Sequence, residues 1–125
     1  MKLTKPLGQA VAAYRAVLGL GRLPLAAKDA LALYRIRKAL QEQFEFFSEE
    51  ERKRIDRCGG QVSPDGVITF PDAEKRRAYA EAYNELAAAE AEIAVEPLAL
   101  SAGDLGGKIT VDDILALEGL IEIKE

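Results

Sequence analysis

Residues 26–57 read AAKDALALYRIRKALQEQFEFFSEEERKRIDR, and the fold turns on whether this stretch is one helix or two. Ala26, Ala30, Leu33, Leu40, Phe44 and Phe47 recur at helical spacing on one stripe, with Arg37 as its only polar member. Ser48-Glu49-Glu50-Glu51 has the form of a capping box, where a second helix can restart after a kink. Against a restart, Glu49 to Lys53 and Glu50 to Arg54 are well-oriented i, i+4 pairs that carry a helix across Ser48. The pattern predicts a continuous or slightly bent helix to Arg57, the longest element of the chain.

Before it, Leu7, Val11, Tyr14 and Leu18 form the stripe of a first helix, with Pro6 in its first turn and Gly19 and Gly21 at its end. After it, Cys58-Gly59-Gly60 stops the helix, and Gln61 to Phe70 reads as a hairpin closed by Ser63-Pro64-Asp65-Gly66. Asp72 is the natural N-cap of a third helix from about Ala73 to Glu92, with Tyr79, Tyr83 and Leu86 facing inward. Ile93 to Glu96 alternates as a strand ended by Pro97, and Ser101 to Lys108, with three glycines, reads as a loop. Thr110-Val111-Asp112-Asp113 caps a short helix holding Ile114, Leu115 and Leu117, which Gly119 closes. Ile121 to Lys124 alternates again and is expected to pair with Ile93 to Glu96, because each is too short to stand alone. The expectation is one α+β domain over residues 1–125, predominantly helical: three main helices, a short β-hairpin, and short C-terminal strands flanking a small last helix.

Composition supports a folded chain, since 49% of the residues are hydrophobic and 30% charged. The lone cysteine, Cys58, has no internal disulfide partner. The first residues hold no apolar core of signal-peptide length, and no uncharged stretch approaches the ~20 residues of a membrane span. The expected address is the cytoplasm, with no membrane partner.

The chain has no histidine, which removes the commonest general base and the commonest transition-metal ligand together. Cys58 stands at a helix C-terminus, which disfavours anions, and Ser48, Ser63 and Ser101 occupy a helix cap, a turn and a loop. Carboxylates leave magnesium as the one metal chemistry to weigh. Pro71-Asp72 with Glu122-Ile123-Lys124 superficially matches a nuclease signature, but Asp72 reads as a helix cap, and Asp112-Asp113 as first-turn acids. Gly103, Gly106 and Gly107 do not build a phosphate loop, having no Lys-Ser/Thr after them. No catalytic residue, metal site, cofactor or small-molecule substrate is expected.

Charge is more informative. Residues 1–40 hold eight bases against Asp29, whereas residues 41–125 hold nine bases against twenty acids. Arg15, Arg22, Lys28, Arg35, Arg37 and Lys38 can form a basic face for nucleic acid. Alternatively the basic helices lie against the acidic third helix, within one chain or across a dimer. Ala27, Leu31, Tyr34 and Phe46 point away from the main stripe of the long helix. Leu31, Tyr34 and Phe46 therefore mark a candidate protein interface, of a homodimer or with another protein, unless the hairpin and C-terminal strands fold back over them.

The order of features also carries a resemblance: Leu23-Pro24, Tyr34-Arg35-Ile36, Cys58-Gly59, Asp65-Gly66-Val67-Ile68, Asn84-Glu85-Leu86 running to Glu92-Ile93, and Ile114-Leu115-Ala116-Leu117-Glu118 before Ile121. Over nearly its whole length the chain resembles a family of small proteins from phages and prophages of Gram-positive bacteria, catalogued only as a domain of unknown function. The alanine content departs from the Lys- and Glu-rich members. The resemblance implies a phage-encoded protein made alongside virion structural and assembly proteins, and it brings no functional residues.

Overall fold

In the computed structural model, which describes residues 2–107 and 109–124, Leu7–Leu20 forms the first helix, α1, and Ala27–Arg57 the second, α2. α2 is unbroken through Ser48. It has 31 residues against 14 in α1, so at about 1.5 Å per residue a long piece of α2 runs past α1. The pair Glu50–Arg54 forms at 3.1 Å as expected, but Lys53 pairs with Glu50 at 2.9 Å rather than with Glu49. At its end Gly59 takes φ +70°, Gly59 N–H donates to Asp56 and Gly60 N–H donates to Ile55, a Schellman stop that uses both glycines.

The buried stripe of α2 is Leu33, Ile36, Leu40, Phe47 and Ile55. Ala26, Ala30 and Arg37 are exposed and Phe44 is half-buried, which corrects the expected stripe. The turn after Leu33 is shared between Ile36 and Arg37, and desolvating an unpaired guanidinium costs far more than turning an isoleucine inward. On α1, Leu7, Val11 and Val17 are buried together with Ala10, Ala13 and Ala16, whose small side chains let the two helices approach closely, while Leu18 is only half-buried.

Two tiny strands, β2 (Gln61–Val62) and β3 (Ile68–Thr69), form the expected hairpin. Asp72 accepts the Lys75 N–H at 2.8 Å and starts α3, Ala73–Ala88, which ends four residues earlier than expected. The chain leaves the helix there because Glu90–Ala94 is a strand, β4, that pairs antiparallel with an unexpected first strand, β1 (Lys2–Pro6). Pro6 accordingly ends β1 and precedes α1 instead of lying in its first turn. The expected pairing of Ile93–Glu96 with Ile121–Lys124 is likewise corrected. Ile121–Lys124, β6, pairs in parallel with β5, Leu98–Ser101. The supposed loop holds a helical turn, α4 (Ala102–Leu105), capped by Ser101 and burying Leu105; Lys108 lies outside the described residues. The last helix, α5 (Val111–Ala116), has the Thr110–Asp113 capping box, but Ile114 and Leu115 are exposed and only Leu117 beyond it is buried.

The molecule has two parts. One buried cluster draws on α1, the first two thirds of α2, Leu86 of α3, β4, β5, α4, Leu117, Leu120 and β6, and constitutes the body. Beyond Ser48, α2 continues with the hairpin and the first half of α3 as an arm. Ile55 and Cys58 are buried there, apart from the body cluster.

Candidate functional site

Among the described residues no single hollow stands out, the volumes running from ≈ 220 to ≈ 450 Å³, so the exposed apolar and charged side chains carry the description of the surface. Leu31 and Tyr34 lie one turn apart on the solvent face of α2, 50% and 54% exposed, and the hairpin and C-terminal strands do not cover them. Phe46, also 54% exposed, stands three turns further along at the rim of a hollow of ≈ 450 Å³ that Arg54, Glu85 and Leu86 also line. Lys38 places its ammonium 5.9 Å from the Tyr34 ring centre, a cation–π contact at the surface.

All six bases singled out from the sequence are exposed. They do not share one face. Seven residues separate Lys28 from Arg35, so at about 100° per residue these two lie on one line of α2, with Lys38 beside them. Arg37 lies about 160° around the helix from Arg35. Among the described residues the ion pairs are Lys2–Glu92, Lys53–Glu50 and Arg54–Glu50, so none of the six bases pairs with α3. Nor is α3 acidic, since Glu74, Glu81 and Glu85 are matched by Lys75, Arg76 and Arg77. The acids concentrate in α2 itself, where residues 41–51 hold five glutamates and no base.

From the arm to the body, a row of rings runs Phe70, Tyr79, Tyr83, Phe47, with successive centres 5.0, 6.0 and 5.7 Å apart. Its first three rings floor an open hollow of ≈ 400 Å³ lined by Ile68, Phe70, Arg76, Tyr79, Ala80, Tyr83 and Asn84. Tyr79 donates to Glu51 Oε2 at 3.2 Å, and burial, reinforced by the Glu51 charge, pushes its phenol up to about 12. Val62 and Val67 at the hairpin, and Val111, Ile114 and Leu115 on α5, are further exposed apolar side chains. The helical stripe on α5 did not reveal these last three, because the buried residues there, Leu117, Leu120 and Ile121, lie just beyond the helix.

The groups with chemical potential are dispersed. Asp72 caps α3 at the arm, whereas Glu122 sits on β6 in the body, opposite Ala99. Asp113 is committed to the Thr110 capping box, and Cys58 is buried at the end of α2. Among the described residues no group of three His, Cys, Asp or Glu side chains can hold a metal ion. Sequence reasoning missed Lys5, which is buried on β1 and donates from Nζ to the Ala116 carbonyl at 3.1 Å, at the negative end of α5. Burial lowers its pKa from the ordinary lysine value while the charge of Glu118 acts the other way. Among the described residues, no helix is long and apolar enough to cross a membrane.

Compared with known protein families, with curated proteins and with solved structures, the chain shows no match.

Proposed function

We propose that the protein is a non-enzymatic interaction or assembly module of phage or prophage type, acting in the cytoplasm of a bacterial host. The observation that supports this reading is the outward face of α2, where Leu31 and Tyr34 stay half exposed beside charged neighbours. The resemblance to small phage proteins made with virion components supplies the context. The reading predicts that the tagged protein co-purifies with the product of a gene encoded beside its own, and that Leu31→Glu with Tyr34→Glu abolishes this while the circular-dichroism spectrum is unchanged. Magnesium-dependent nuclease turnover that disappears in Asp72→Ala or Glu122→Ala would overturn it.

A second reading, binding of nucleic acid, draws on the shared line of Lys28, Arg35 and Lys38 and on the absence of ion pairs at these bases among the described residues. Under it, duplex or single-stranded binding weakens steeply with salt and is lost in Arg35→Glu with Lys38→Glu. No band shift at low salt retires it.

A further inference from the structure

The solvent face of α2 carries its charge in order. Leu31, Arg35, Lys38, Glu42, Glu45 and Glu49 follow one another at spacings of four, three, four, three and four, the period that keeps a single line on one side of a helix. All six are exposed, as are Tyr34 and Phe46 on the flanks of the line. The charged half nearer the N-terminus is wholly basic and the other half wholly acidic, with the change of sign at the level of Leu40. Tyr34 and Phe46 lie six residues to either side of that level.

We infer that α2 pairs antiparallel with the α2 of a second copy of this chain, about a two-fold axis at the level of Leu40. This deepens the reading of the chain as an interaction module and rests on it. An isologous contact requires a surface complementary to itself, and the four central charges of this one are. The axis sets Lys38 opposite Glu42 of the second copy, brings Arg35 to the level of Glu45, Tyr34 to that of Phe46, and Leu31 to that of Glu49. A parallel pair would instead set Arg35 on Arg35 and Glu45 on Glu45. Moving the antiparallel axis by half a heptad in either direction opposes Arg35 to Lys38, or Glu42 to Glu45, so the charges select one register. Within the chain these groups do not satisfy each other. Lys38 and Glu42 have the less favourable base-first order for an i, i+4 pair, and among the described residues none of Arg35, Lys38, Glu42, Glu45 and Glu49 forms an ion pair. Glu45 accepts from Gln41 at 2.9 Å.

Light scattering on the full chain across a concentration range at low salt tests this with four proteins. The native chain is expected to dimerise. Arg35→Glu with Lys38→Glu makes every charge of the line acidic, and Glu42→Lys with Glu45→Lys makes every charge but that of Glu49 basic; each raises the dimer dissociation constant by at least about 100-fold. An equimolar mixture of these two variants recovers a dimer, and so does the chain carrying all four changes, which shows that the single reversals fold. A native chain that stays monomeric throughout, a dimer that survives both reversals, or a mixture that stays monomeric overturns the proposal. A monomeric chain that still co-purifies with a neighbouring gene product overturns only the self-pairing and leaves the interaction reading standing.

Discussion

Leu40 and Ile55 lie on the same helix and both are buried, yet their surroundings differ. Leu40 is fully enclosed in a cluster to which α1, α2, α3, β4, β5, α4 and β6 all contribute. Ile55 shares its corner with Cys58, with Gly60 and with the edge of the Phe70 ring. The body therefore gains stability from apolar burial spread over many elements. The arm depends on the half-buried rings of Phe70, Tyr79 and Tyr83, the Tyr79–Glu51 hydrogen bond and a glycine stop. A region with few buried apolar contacts opens at lower free energy than the core to which it is attached, so the arm is expected to open while the body stays closed.

The largest effect is expected in the body. Leu40→Ala leaves a cavity in the body cluster and costs about 2–5 kcal/mol; urea titration followed by circular dichroism should show the main loss of helical signal moved to lower urea. A main transition that stays at the native urea concentration would mean that α2 is not held by the cluster. The arm is broken next. A Cβ on Gly60 would stand 2.8 Å from both Ile55 Cγ2 and Phe70 Cε1, so Gly60→Ala is expected to cost about 1–3 kcal/mol. Amide exchange should accelerate over residues 61–72 and stay unchanged in β1 and β4. Equal acceleration in both would erase the distinction between the two parts.

A smaller effect sharpens the comparison through pH. Tyr79→Phe removes the bond to Glu51 and is expected to cost about 1 kcal/mol. In the native protein Tyr79 keeps its proton where the unfolded chain loses it, so its contribution is complete below 10.0 and is lost as pH rises toward about 12. Absorbance of tyrosinate should show one late titration that is absent from Tyr79→Phe. Lys5, in the body, has the opposite sign: its native pKa is lowered, the unfolded chain binds the proton more tightly, and stability rises as pH climbs toward the ordinary value of 10.5. Lys5→Met should flatten that rise and change stability at neutral pH by less than about 1 kcal/mol, because packing offsets the lost hydrogen bond. A denaturation profile between pH 8 and 10.5 that is the same in both proteins would contradict this role.

The helices and the hairpin were legible because their signals are local: the periodicity of residues 27–57, two glycines after Cys58, a Ser-Pro-Asp-Gly turn, an aspartate before Ala73. The strand pairings were not. Lys2–Pro6 alternates Lys, Leu, Thr, Lys, Pro, and nothing in that string says that Lys5 will be buried; its place is decided by the carbonyl of Ala116. Similarly, β4 and β6 have matching alternation and both bury residues in the body, yet β4 pairs with β1 and β6 with β5, which no local pattern distinguishes. Of the candidate surface, Leu31, Tyr34 and Phe46 were readable as residues off the main stripe. The six bases were readable as exposed but not as scattered around α2, because a charge total over residues 1–40 carries no helical phase.

The Lys5–Ala116 contact joins residues 111 positions apart, whereas Glu51 and Tyr79 are separated by 28. During synthesis from the N-terminus, the arm has all its parts once Ala88 has left the ribosome. At that moment β1 is still without its partner strand, and Lys5 without the carbonyl that will receive it. β1 and Lys5 must therefore wait, unpaired, for segments that are translated after the arm.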